Sequence, residues 1–215
     1  DAIDQWASRM NRDSARDEAL VLIKRGAALN WGESADYLAL QNRFRLDESY
    51  WLLRLKRPNE ALASAEALLP IVEKRFGATS PQLGLVEHRI GSALQDLDRD
   101  AEAAPHYERA AHLLAESQDA EALKARVMVG HSRASNLRDL DRKSEALAVA
   151  EEAQILARGV VGLDKTLTLR LDTLVKNLRQ SVLDRAQRLT RAKADLDAAE
   201  KVLKPDDPRL AALAD

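Results

Sequence analysis

Residues 83–116 read LGLVEHRIGSALQDLDRDAEAAPHYERAAHLLAE, and the rest of the chain is a set of imperfect copies of this stretch. Leu83, Val86, Ile90 and Leu94 recur at three- and four-residue steps, which places them in one stripe along a helix. Ala103, Tyr107, Ala110, Ala111 and Leu114 do the same in the second half. Only Asp98-Arg99-Asp100 separates the two runs, and so short a link folds two helices back as an antiparallel hairpin. Gly91 and Ala103 are small enough to let the two backbones approach closely.

The signature returns along the chain. Asp17-Glu18-Ala19-Leu20, Asn59-Glu60-Ala61-Leu62, Ala101-Glu102-Ala103-Ala104 and Ser144-Glu145-Ala146-Leu147 share an Ala that recurs at steps of 42, 42 and 43 residues. Leu55, Leu97 and Leu140, each closing a first helix, keep the last two of those steps. A polar link follows each of them, as Lys56-Arg57-Pro58, Asp98-Arg99-Asp100 and Asp141-Arg142-Lys143. Three features in one register establish an internal repeat. The reading is a single solenoid domain over 1–215, with units near 1–34, 35–77, 78–119, 120–162 and 163–204 and a partial unit at 205–215.

Local signals punctuate these units. In the first, Ile3, Trp6, Ala7 and Met10 form a short first helix, and Asp13–Leu29 its partner, with Gly32 as a helix stop. Gly77 ends one helix and Ser80-Pro81 starts the next, as cap and first-turn proline. Asp164 is placed to cap a later helix. Between Leu163 and Lys204 there is neither Gly nor Pro, but Asp184-Arg185 stands 43 residues after Asp141-Arg142, and the register predicts a turn there. The alternative is one continuous helix that caps the array.

Composition narrows the function classes. A formal net charge of −2 gives no electrostatic bias toward nucleic acid or an anionic membrane. The absence of cysteine excludes disulfides and thiolate chemistry and leaves the compartment open, with cytoplasmic expected and periplasmic or exported as the alternative. No apolar run approaches the length of a transmembrane helix. The chain begins at Asp1 without Met or a signal-peptide pattern, as a fragment or processed product would. No P-loop, dinucleotide, zinc-protease or nucleophile-elbow pattern occurs, and nothing orders Ser, His and Asp into a triad, so neither an enzyme nor a cofactor is expected.

The units resemble tetratricopeptide (TPR) repeats, whose signature pairs large, small and aromatic residues across a helical hairpin. Ile90-Gly91, Leu94, Ala103, Tyr107 and Ala110 fill those places in unit three. Ala134, Leu137, Ala146, Ala150 and Ala153 fill them in unit four, Ser49, Leu52, Ala61, Ala65 and Leu68 in unit two, and Trp6-Ala7, Met10, Ala19 and Ile23 in the first. The ordinary repeat is about 34 residues. The longer period here is similar to the kinesin-light-chain subtype, whose units join through a Gly-x-x-x-Pro loop. Gly77–Pro81 carries both residues, Lys204–Pro208 the Pro alone and Gly162-Leu163-Asp164 the Gly alone. Two departures stand out. Arg45, Glu87 and Gly130 replace the bulky aromatic of the first helix, and Arg188 or Leu189 replaces the packing Ala in unit five.

The resemblance implies an all-α, TPR-like α-solenoid, a right-handed superhelix of about five helical hairpins, whose first helices line a concave groove. Position by position, unit two would present Arg43, Leu46, Tyr50, Leu53 and Arg54 to it. Unit three would present Leu85, His88, Ser92, Gln95 and Asp96, and unit four Met128, His131, Ser135, Arg138 and Asp139. In unit five either Thr173, Asn177 and Gln180 or Asp172, Lys176 and Arg179 face inward. Selectivity is expected from Arg43, Arg54, His88, Gln95, His131 and Arg138, since arginines pair bidentately with carboxylates. His88 and His131 hold matching positions, yet no third ligand accompanies them, and equivalent atoms of neighbouring helices lie roughly 10 Å apart, too far for metal. His106 and His112 are expected on the surface of a second helix. The aromatics before position 108 are read as core, against an alternative docking surface of Trp31, Tyr37, Tyr50 and Trp51.

The expected function is a protein–protein interaction scaffold that takes a peptide or partner protein, and neither nucleic acid nor membrane, in the groove. One alternative is a regulatory or sensor module of a larger signalling protein, linked to a kinase or NTPase, with another domain of the parent chain as partner. The other is a structural repeat that self-assembles by end-to-end stacking of its terminal units.

Overall fold

One device closes the hairpins. Lys56, Asp98 and Asp141 adopt left-handed φ angles of 57°, 58° and 57°. Their N–H groups donate to the carbonyls of Leu53, Gln95 and Arg138, and the next N–H groups, of Arg57, Arg99 and Arg142, reach back to Leu52, Leu94 and Leu137 at 2.9, 2.9 and 2.8 Å. These are Schellman closures, made here without glycine. The same three arginines then grip Glu60, Glu102 and Glu145, one turn into the following helix, each with two hydrogen bonds. Next to each glutamate stands Ala61, Ala103 or Ala146, all fully buried where the second helix meets the first.

The computed structural model describes residues 13–29 and 35–202. Its helices are α1 (Asp13–Ala28), α2 (Ala35–Arg54), α3 (Pro58–Phe76), α4 (Pro81–Gln95), α5 (Asp100–Leu114), α6 (Ala120–Asp139), α7 (Lys143–Gly159) and α8 (Lys165–Val202). Between hairpins, Gly77 at φ 90° ends α3 and the Ser80 hydroxyl accepts the Leu83 N–H to start α4. Asp119 caps α6 through the Ala122 N–H at 2.8 Å, and Asp164 accepts the Thr166 N–H at 2.8 Å ahead of α8. The first helix of unit one, Gly32, Trp31, the Lys204–Pro208 loop and the partial last unit lie outside the described residues.

The core runs along the array as the periodicity requires. Leu52, Leu68, Leu83, Ile90, Tyr107, Leu171 and Leu178 are all but fully buried, each worth about 1.5–3 kcal/mol in removed apolar surface. Tyr107 fits because residue 91 is glycine: a Cβ there would stand 2.9 Å from its ring. Asn136, 1% exposed, ties α6 to the preceding hairpin through the Asp100 carbonyl at 3.0 Å.

Each helix packs on the next, and the first helices of successive units also touch, α2 on α4, α4 on α6 and α6 on α8. Among the described residues the second helices α1, α3, α5 and α7 do not touch one another. The array therefore curves with its first helices on the inner wall.

The turn expected at Asp184-Arg185 does not form: α8 runs unbroken for 38 residues. The described array thus holds three complete hairpins between the single helices α1 and α8. The cause lies in two side chains. Where the other links carry the clamping glutamate, this copy has Arg188, and where they carry the buried alanine it has Leu189. The arginine clamp is lost, and a leucine does not fit where the other hairpins admit only a methyl group.

Candidate functional site

The inner wall splits into two parts with different chemistry. In unit three the expected contact residues are engaged inside the fold. His88 is 5% exposed, and its Nε2 shares a 3.0 Å hydrogen bond with the Ser132 hydroxyl of α6. Burial, then the charges of Arg89 and His131, push its pKa down to about 3, so the ring is neutral at physiological pH. The expectation that His88 meets a ligand is corrected: unit four closes over it. Ser92 donates to the His88 carbonyl at 2.8 Å, and Gln95 accepts from Tyr107 at 2.8 Å while donating to Asp139 of α6 at 3.0 Å. The two Gln95 bonds knit α4 to α5 and α6.

In unit two, Arg43 is half exposed and pairs with Asp47 at 3.7 Å, and Arg54 is exposed. Tyr50 is half-buried, edge-on to Trp51 at 5.6 Å, with the Arg89 guanidinium 5.1 Å from its ring centroid. Trp51 is 4% exposed and belongs to the core. Of the alternative aromatic surface, Trp31 and the Tyr37 side chain lie outside the described residues.

Units four and five form an open depression of about 380 Å³ between α6 and α8. His131, Ser135 and Arg138 line it from α6, and Thr173 and Asn177 from α8. Leu174, buried, supplies an apolar floor, Leu169, exposed, an apolar rim, and Arg170 a second cation. Of the two registers left open for unit five, Thr173 and Asn177 line this depression and Gln180 does not. Asp172 and Arg179 point the other way, bonding Gln154 and Glu151 of α7. Arg138 leans on Asp139 at 2.9 Å. His131 is lowered from its ordinary value by burial, then by Arg170 and Arg138. The depression thus offers two guanidinium groups, a neutral imidazole, two hydroxyls and an amide beside two leucines. Groups of these types can hydrogen-bond carboxylates and backbone amides. Among the described residues, no three His, Cys, Asp or Glu side chains converge on one point, and the Nε2 of His88 is taken by Ser132.

The association of three residues on the side facing α5 is not among those anticipated from the sequence. Glu87, 1% exposed, accepts from His106 Nδ1 at 2.7 Å and lies 3.1 Å from Arg109. His106, expected on the surface, is one-third exposed. The signal was present: a carboxylate in an aromatic's place has to find hydrogen-bond donors on the facing helix, and positions 106 and 109 supply them. In unit four the same place holds Gly130, whose added Cβ would stand 2.6 Å from that of Ala153. A recess of about 310 Å³ opens beside it, lined in part by Arg126, Arg133 and Glu152.

No family profile matches the chain and no curated protein is similar to it. Among solved structures it superposes on a Podosopora anserina protein described as a putative kinesin light chain with nearly identical TPR-like repeats. The match has a TM-score of 0.62 at 16% identity and covers 90% of this chain and 95% of that one. The fold is that of TPR-like repeats. A point variant of the same Podosopora anserina protein gives a TM-score of 0.63 at 14% identity over 94% of each chain. Such repeats are in general protein-interaction modules. No described helix is long and apolar enough to cross a membrane.

Proposed function

We propose that the chain is a protein-interaction scaffold whose inner wall takes an extended or helical peptide of a partner protein. The observation that carries this reading is the open depression between α6 and α8, where Arg138, Arg170, Ser135, Thr173 and Asn177 surround Leu169 and Leu174. The peptide lies along it and continues over Tyr50 and Arg54 of α2. Unit three serves as the rigid spacer between these two contact zones, its own polar groups being spent on the fold. Binding rather than catalysis fits the groups present, because His131 shares no hydrogen bond with the Ser135 or Thr173 hydroxyl beside it, the latter donating to the Leu169 carbonyl.

A random-peptide display selection on the immobilised chain tests this. Selected peptides are to bind wild type, lose affinity for Arg138→Ala/Asn177→Ala, and keep it for Glu152→Ala on the outer side. Circular dichroism checks that all three remain helical. Peptides indifferent to the inner double change but sensitive to the outer one would overturn the proposal.

A further inference from the structure

We infer that the distal half of α8 is a self-association surface, on which a second copy of the chain pairs antiparallel. The face of α8 that packs on α7 carries Leu171, Leu174, Val175 and Leu178, exposed by 0, 5, 3 and 2%. The same face continues in helical register through Val182, Leu189 and Leu196, at seven-residue steps, past the end of α7. Among the described residues no other helix covers it there: residues 183–195 are all exposed, Leu189 by 56%, while Val182 and Leu196 are half-buried. Ala192 and Ala199 alternate with these large residues and let a facing helix come close, and Arg185 and Lys193, on the same stripe, can lay their aliphatic stems along it.

Charge selects the occupant and its direction. Arg188 and Asp195 stand seven residues apart on one flank of the stripe, and neither has an ion-pair partner among the described residues. A two-fold antiparallel pair brings Leu189 over Ala192 of the second copy and Arg188 beside its Asp195, and each contact occurs twice. In a parallel pair the flanking groups that meet are Arg188 and Lys193, which repel. Folding the distal half back onto its own chain is disfavoured by the features that keep α8 straight, Arg188 in place of the clamping glutamate and Leu189 in place of the buried alanine. This surface is separate from the end-to-end stacking of terminal units.

Sedimentation equilibrium of the full chain over a wide concentration range tests the inference. The mass should rise from 23.8 kDa toward twice that value. Leu189→Gln should abolish the rise. Asp195→Arg should weaken association about tenfold or more by setting like charges together, and Arg188→Asp/Asp195→Arg should recover it. The chain has no cysteine, so Leu189→Cys and Ala192→Cys chains carry one thiol each, and mixing them should give a heterodisulfide in preference to either homodimer. A mass fixed at one chain at every concentration, as a bare or self-folded helix would give, overturns the inference. So does a dimer indifferent to both Leu189→Gln and Asp195→Arg.

Discussion

His88 makes the array acid-sensitive. The folded ring titrates at about 3, against 6.5 when the chain is unfolded. Between those values the unfolded state binds a proton that the folded state refuses, so stability falls as pH drops below 6.5 and the loss is complete near 3. At pH 5 the displacement is 1.5 units from 6.5, or about 2 kcal/mol, and over the whole range about 5 kcal/mol. With a urea slope of about 2 kcal/mol per molar, the midpoint drops by about 1 M between pH 7.5 and 5. The lowered glutamates Glu60, Glu102 and Glu145 act in the same direction but only below their ordinary 4.5, so they do not enter this interval. The assay is urea unfolding followed by circular dichroism at both pH values, for wild type and His88→Gln, which keeps a donor for Ser132. The variant is expected to lose most of the pH difference and retain the smaller part due to His131, which burial also lowers. An equal midpoint shift in both proteins would refute the reasoning, whatever the variant's stability at pH 7.5.

Other outcomes follow from single contacts. Gly130→Ala should cost about 1–3 kcal/mol in urea unfolding, because the new methyl would stand 2.6 Å from that of Ala153 and α6 and α7 must separate. Gly159→Ala, with nothing within 4 Å, should gain up to about 1 kcal/mol, and similar losses at both sites would count against the packing account. Asn136→Ala should cost about 1–3 kcal/mol by stripping Asp100 of a buried donor, with faster amide exchange at the start of α5 and none of that change at α7. Spin labels at Lys176 and Ala194 should lie about 27 Å apart along an unbroken α8, and a separation near 10 Å would mean that the chain turns at Asp184 after all.

Much of this architecture was legible because helical hairpins write themselves in short-range code. The alanines at 61, 103 and 146, the polar links, and the Gly77 and Ser80-Pro81 signals each act within one turn of helix, where sequence spacing and physical distance coincide. The missing turn at Asp184 was half legible. The register pointed to it, while Arg188 and Leu189, the residues that prevent it, stood in plain view as departures. The site was less legible because groove exposure depends on the next unit. His88 and His131 hold the same place in the repeat, yet α6 closes over the first, and α8 leaves the second at the edge of a depression. The cluster of Glu87, His106 and Arg109 was hidden for a related reason, since a buried carboxylate is read correctly only once the facing helix is known.

The uneven contact between first and second helices has a mechanical consequence. Inner helices that touch act as a row of pivots, and outer helices that stand apart leave clearance for each unit to tilt about its pivot. Tilting changes the width of the outer furrows and leaves the stripes between the two helices of each hairpin intact. The array is accordingly soft to bending and stiff to stretching, like a short leaf spring. Its inner wall can tighten or relax around occupants of different girth without breaking a hairpin.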